Sequence, residues 1–286
     1  MISVIIPVHN RINLTKICLN SLSPYKSLLN VIIVNDGSTD NTEEVLKEEF
    51  PWVIIIKGDG NLFWTGAVHK GIEFLLSSNK INTTYAILMN NDVILPDYGV
   101  IEKLVKASAE FGDQAIVSPI TVSKKFKDQI IITGVQVNSW FLNRTRKIFS
   151  NQKLSNLKVL DPIEVDFITA RFLLHPMHVF QKVGNYNARD LPHYGGDDEF
   201  SYRCKKHGVR PLIIPTACVY LEDIFDEPSK LKEKSIFFWL FDKRSNINIF
   251  SKFALSIIVC PWFARPSFIA IGVLKSLYLA VFRKLL

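Results

Sequence analysis

Met1-Ile2-Ser3-Val4-Ile5-Ile6-Pro7-Val8-His9-Asn10-Arg11 is a β-branched run ended by a proline, and a helix is expected to begin near Asn13 or Thr15. A second strand, Val31 to Val34, runs into Asn35-Asp36-Gly37-Ser38-Thr39-Asp40, and a third covers Trp52 to Lys57. A fourth, Tyr85-Ala86-Ile87-Leu88-Met89, is apolar throughout and leads into Asn90-Asn91-Asp92-Val93. Between them, Thr15 to Leu22, Thr42 to Phe50 and Gly66 to Leu76 have helix length and one apolar face. That alternation predicts an α/β fold of βαβ units around a mostly parallel sheet flanked by helices. Ligands of such sheets bind outside the carboxyl ends of the strands. Pro7-Val8, Asp36, Gly60-Asn61 and Asp92 all fall at those ends.

The residue types there point to chemistry on a charged ligand. Asp92, at the mouth of the sheet, suits a divalent cation held beside a phosphate. A hundred residues on, Gly195-Gly196-Asp197-Asp198-Glu199-Phe200 leads a helix-like stretch to His207 and offers carboxylates able to take a proton from a hydroxyl. A metal-holding acid and a separate base suit transfer of a group from a nucleotide diphosphate. Each assignment has a plainer rival. Asp36 reads as a contact to base or ribose, or as a turn residue, with Asp40 the better helix cap. Gly60 and Gly66 admit close backbone approach to a ligand and Trp64 offers a flat face, or they form a turn and a core aromatic. Acids in a first helical turn also favour the macrodipole, so Asp197, Asp198 and Glu199 have a capping alternative.

In order along the chain, these motifs resemble those of the family 2 glycosyltransferases with the GT-A fold. Val4 to Arg11 and Val34 to Asp40 look like that family's opening, with Pro7, Val8, His9, Arg11 and Asp36 on the nucleotide side. Gly60-Asn61-Leu62-Phe63-Trp64-Thr65-Gly66-Ala67 is similar to its glycine loop, and Asn90-Asn91-Asp92-Val93 stands at its DXD motif. Gly196 to Arg203 resembles the acidic motif. Aligning Arg203 with the arginine that closes it implies Asp197 as the catalytic base and Glu199 as its following acid. The resemblance runs to about residue 220. It implies a UDP-, dTDP- or GDP-sugar donor, Mg²⁺ or Mn²⁺ on Asp92, and inversion at the anomeric carbon. Two departures stand out. Asn90 and Asn91 replace the first acid of the DXD motif, which weakens the protein's own hold on a cation. Tyr220-Leu221-Glu222-Asp223 follows the strand Pro211 to Val219 where relatives place a histidine ligand, leaving Glu222 or Asp223 to assist the ion, or neither.

The acceptor half is less legible. Val165 to Leu174 reads as a strand with Thr169-Ala170 near the donor sugar, and His175-Pro176 as the start of a helix that Gly184 stops after Val183. Arg171 reads as a diphosphate contact or a structural partner; His193 and Tyr194 read as acceptor-pocket residues. Residues 121 to 163, with Trp140 and Phe141, have no assignment. The division predicted is a catalytic domain over 1–228 (nucleotide-sugar half 1–120, acceptor half 121–228) and a helical tail over 229–286. Of the formal charge of +7 carried by 286 residues, the tail accounts for all: from Lys230 onward ten Lys or Arg face only Glu233 and Asp242.

Basic residues interleaved with Phe237-Phe238-Trp239, Phe253 to Phe263 and Phe268 to Phe282 suit an anionic membrane surface, or an oligomer interface, or packing on the catalytic domain. Pro261, Arg265, Pro266 and Lys275 interrupt each apolar stretch, so no spanning helix is expected. Nucleic acid is not expected as a partner. Four cysteines without paired spacing, and a chain opening directly in a strand, predict a cytoplasmic protein on the inner face of the cell membrane with packing thiols. Such an enzyme suits a glycan or lipid-linked glycan acceptor, as in surface polysaccharide assembly. Two other classes remain: a sugar-phosphate nucleotidyltransferase, against which stands the missing glycine-rich loop after the first strand, and a non-catalytic nucleotide- or glycan-binding module.

Overall fold

A computed structural model describes the chain except residues 79–80, 127, 151, 170, 223–234 and 286, with side chains described as far as Phe282. The predicted alternation is present: β1 (Ile2–Val8), α1 (Ile12–Leu22), β2 (Leu29–Asn35), α2 (Thr42–Glu49), β3 (Ile54–Lys57), α3 (Phe63–Ser77) and β4 (Tyr85–Met89). There follow β5 (Val93–Ile94), α4 (Gly99–Glu110), β6 (Ala115–Ser123), β7 (Ile130–Ile132), β8 (Gly134–Ser139), β9 (Arg144–Lys147), β10 (Ile163–Glu164), β11 (Phe167–Ile168) and β12 (Phe172–Pro176). The chain continues through α5 (His178–Val183), α6 (Gly196–Lys206), β13 (Arg210–Leu221), α7 (Ile236–Phe241), α8 (Ile249–Val259) and α9 (Arg265–Leu285).

The central sheet is ordered β10-β13-β6-β12-β4-β1-β2-β3, with β5 on β13 and β7 on β6. Strands β3, β2, β1, β4, β6 and β13 run one way, and β12 lies against β4 and β6 in the opposite sense. Both predicted halves of the catalytic region therefore share one sheet. Side chains alternate across β1 with the period of a strand. Val4, Ile6 and Val8 join Cys18, Leu19 and Leu22 of α1, whereas Ile5 meets Ala67, Val68 and Ile72 of α3. Alpha-helix α3 crosses β1 at Gly71, where a Cβ would stand 2.6 Å from Ile5 Cγ2.

Two boundaries differ from expectation. His175 and Pro176 end β12 instead of starting a helix, because His175 is fully buried there between Ala86 O and the Tyr186 hydroxyl. Burial pushes its imidazole down to about 3, a neutral ring that suits an interior strand. The unassigned excursion folds too: β8 and β9 form a small sheet with β11, and Trp140 packs on Phe167 and Tyr202. All four cysteines are free thiols, Cys18, Cys204 and Cys260 buried.

Candidate active site

The side expected to take the nucleotide lies at the carboxyl ends of three strands in register, Val8 beside Asn35 and Asn35 beside Lys57. The Asp36 N–H donates to Val8 O at 2.8 Å, which turns its side chain into the loop after β3. There the Gly60 N–H donates to Asp36 Oδ1 at 2.8 Å and the Phe63 N–H to Oδ2 at 3.0 Å. Asp36 is 4% exposed, so its first task is to hold the glycine loop. Gly37, at φ +61°, makes this possible: a Cβ there would lie 2.8 Å from Gly60 Cα. Gly60 (φ +87°) and Asn61 are exposed at the tip of that loop.

Pro7 is half-buried, and Val8 faces the core, offering the site its carbonyl alone. His9 Nδ1 contacts Asp36 O at 2.6 Å, and Asn10 and Arg11 both adopt left-handed backbone after it. Asp40 serves two helix starts: Oδ2 accepts the Ile12 N–H at 2.9 Å in the first turn of α1, and Oδ1 accepts the Thr42 hydroxyl at the start of α2.

The two neighbours Trp64 and Thr65 join the halves of the site. The Trp64 indole N–H donates to Asn90 Oδ1 at 2.9 Å, and the Trp64 ring packs on Tyr186. The Thr65 N–H donates to Pro192 O at 2.9 Å, and a Cβ on Gly196 would come 2.5 Å from Thr65 Oγ1. The first turn of α3 thus touches both the Asn90–Asp92 stretch and the head of α6. Gly66, read in the sequence as a ligand-loop or turn glycine, is buried inside α3 with Leu62 and Ala188 over it.

Around Asp92 the neutral residues are already committed, since Asn91 Nδ2 donates to Thr15 Oγ1 at 3.0 Å. Asp92 Oδ2 pairs with Arg171 Nη1 at 2.6 Å, while Oδ1 is buried without a hydrogen-bond partner. Antiparallel β12 places Phe172 beside Met89, which brings Arg171 across from Asn90, whose N–H donates to Arg171 O at 2.9 Å. An arginine inside the apolar run Val165 to Leu174 was the available signal for this pair. Glu222 donates its N–H to Asp92 O at 2.8 Å, but its carboxylate pairs with Lys124. Asp223 and Ala170 lie outside the described residues. No group of three or more His, Cys, Asp or Glu side chains suited to a metal occurs among the described residues.

The three acids of α6 separate by environment. Glu199, 2% exposed, takes Arg203 in a fork: Nε to Oε1 at 2.6 Å and Nη2 to Oε2 at 2.9 Å. Arg203 also donates to Val183 O and Asn185 O. Glu199 is therefore a structural acid. Asp197 Oδ1 accepts the Asp198 N–H at 3.0 Å. Burial, and then the charge of Asp197, lift the Asp198 carboxyl to about 7, with Lys252 acting in the opposite direction. His193 accepts from the Trp64 N–H at 3.4 Å and its ring meets Phe63 at 5.9 Å. Burial and nearby Arg244 hold its imidazole below the usual range.

The tail reaches this region. Leu255 of α8 lies over Gly195, Lys243 Nζ is 5.5 Å from the Phe63 ring, and Phe268 of α9 packs on Trp140. Packing on the catalytic region, one of the three expected uses of the tail, is thus observed. Pro261 does separate the last stretch from α8, but contrary to expectation Arg265, Pro266 and Lys275 do not break it: Trp262–Phe282 is helical, and long and apolar enough to cross a membrane. Pro266 sits in the first turn of α9, where its missing N–H has no partner to lose.

Strand-end loops on a mainly parallel sheet, an acid after β4 and an acid-headed helix beside the glycine loop define the GT-A class of nucleotide-sugar transferase folds. The chain belongs to glycosyl transferase family 2, whose family model matches residues 3–161. The fold is similar to that of the mannosyltransferase PcManGT from Pyrobaculum calidifontis, solved with GDP-Man and Mn²⁺ (12% identity, TM-score 0.59, 99% of this chain and 73% of that one). It is also similar to GalNAc-T7, solved with UDP, GalNAc and Mn²⁺ (15% identity, TM-score 0.59), where the match covers 91% of this chain and 51% of that one. S. aureus TarS 1-349 is similar at TM-score 0.50 and 11% identity, over 99% of this chain and 87% of that one. No curated protein matches the chain in sequence.

Proposed function

We propose that this family 2 enzyme is an inverting glycosyltransferase that moves a sugar from a nucleotide-diphosphate sugar to a hydroxyl of a glycan or lipid-linked glycan. The observation that carries the reading is the double contact of α3, Trp64 on Asn90 and Thr65 against Gly196. It brings the Asn90–Asp92 stretch and the head of α6 to one helical turn. Asp197 takes the proton of the acceptor hydroxyl as that oxygen bonds to the anomeric carbon. The bond to the diphosphate breaks on the opposite face, its electron pair leaving with the diphosphate. His193 and Tyr194 border the acceptor side, and the exposed loop at Gly60-Asn61 faces the donor. A buried, unpartnered carboxylate oxygen on Asp92 fits a divalent cation, Mg²⁺ or Mn²⁺, with Asp92 as its protein ligand. Such an ion, when bound, supplies positive charge to a leaving diphosphate.

Incubation with UDP-, dTDP- and GDP-sugars in Mn²⁺ is expected to release free nucleoside diphosphate from one of them, and excess chelator to stop it. Release of pyrophosphate instead indicates nucleotidyl transfer, and binding without turnover indicates a binding module; either result overturns the reading.

The tail supports work at a membrane surface. Phe237, Phe250, Trp262 and Tyr278 are each at least 66% exposed, beside the basic residues Lys243 and Lys252. A surface location is favoured over a spanning one because α9 is fastened at two points to Asn143. Asn143 donates to Phe268 O, and Lys275 donates to Asn143 O. Full-length protein is expected to float with anionic vesicles, and Phe250→Ser with Trp262→Ser to weaken flotation without loss of donor binding. A lipid-free assembly that the same substitutions reduce to monomers would assign these side chains to an oligomer interface instead.

A further inference from the structure

We infer that Arg171 guards the cation position, occupying Asp92 until a nucleoside diphosphate draws the guanidinium away. The inference rests on the reading of Asp92 as the cation-binding acid. Three observations carry it. The Asp92 carboxylate is divided, one oxygen paired with Arg171 at 2.6 Å and the other buried and unpartnered. The two neighbouring amides that replace the usual acid are held by Trp64 and Thr15. Arg171 itself keeps a third of its side-chain surface in solvent, so the guanidinium has room to turn outward.

The physical consequence is a competition. A cation arriving alone meets one half-neutralised carboxylate and a permanently charged guanidinium beside it, and Coulomb repulsion opposes its entry. A nucleoside diphosphate changes both sides of the balance. Its phosphate oxygens accept the planar fork of an arginine bidentately, which a carboxylate shared with a metal cannot match. They also complete the oxygen set that a hard cation requires. Arginine leaves Asp92 for the phosphates as the cation takes its place. Cation and nucleotide then bind as linked ligands, each raising the affinity of the other. A chain with a full pair of acids has no need of this device; with Asn90 and Asn91 here, it keeps the site closed to free cations.

The test measures Mn²⁺ binding to the full chain without nucleotide, by the loss of the free-Mn²⁺ paramagnetic resonance signal. Wild type, Arg171→Gln, Arg171→Met and Asp92→Asn are compared, two neutral replacements being used so that one folded variant suffices. Removing the guanidinium is expected to tighten Mn²⁺ binding about tenfold, within the usual range of coupling between linked ligands. Adding UDP or GDP is expected to narrow the gap between wild type and the Arg171 variants. If nucleotide-dependent Mn²⁺ binding needs Asp92 but the Arg171 variants bind Mn²⁺ alone no better than wild type, the guard is overturned and the site reading stands. If no variant binds Mn²⁺ even with nucleotide, both fall.

Discussion

Asp197→Asn is expected to lower turnover by at least about 10²-fold while leaving donor binding close to that of wild type, because only proton transfer is removed. The environments of the three acids make the expectation specific. Glu199 is locked on Arg203 and buried. Asp198, raised to about 7 by burial and by its neighbour, shares its surroundings with Lys252 of the tail. Asp197 is the acid that the register of the motif assigns to the acceptor. Asp198→Asn is expected to cost less than about tenfold, short of the roughly 10²-fold or more that a general base contributes. Steady-state kinetics of the two variants, with donor affinity measured separately, rank them directly. A larger loss in Asp198→Asn would transfer the role of base to Asp198, whose raised carboxyl lies near neutral pH.

Glu199→Ala is expected to act on stability first. Removing one partner of a buried ion pair leaves an uncompensated charge and costs about 3–5 kcal/mol. The lower end applies here, since Arg203 keeps Val183 O and Asn185 O and is itself partly exposed. Urea unfolding of wild type and variant measures the difference. A loss below about 1 kcal/mol would put this pair with solvent-exposed ion pairs and remove its anchoring role. The contrast between neighbouring acids is the useful part: Asp197→Asn is expected to fold normally and turn over slowly, Glu199→Ala to unfold more readily.

How much of this was legible beforehand differs from residue to residue. The alternation of β1, α1, β2, α2, β3, α3 and β4 was readable because period and length are local properties of the chain, and Pro7, Gly37 and Gly60 mark where elements stop. The positions of Asp36, Asp92 and Asp197 at strand or helix ends followed from the same local signals. Their partners did not. Asp36 spends both oxygens on a loop 24 and 27 residues away, and Asp92 meets an arginine 79 residues on. Local pattern contains no term for those distances.

The tail shows the same division. Its charge and aromatic content were visible in sequence, but whether it stood apart or lay on the catalytic region depended in part on Trp140 and Asn143, in an excursion with no readable period. The sequence by itself determined the elements from β1 to β4, their order and the kinds of side chain at the strand ends. Only the tertiary structure decided what each acid faces, because that depends on what else is buried beside it: Arg203 at Glu199, Arg171 at Asp92, and Asp197 at Asp198.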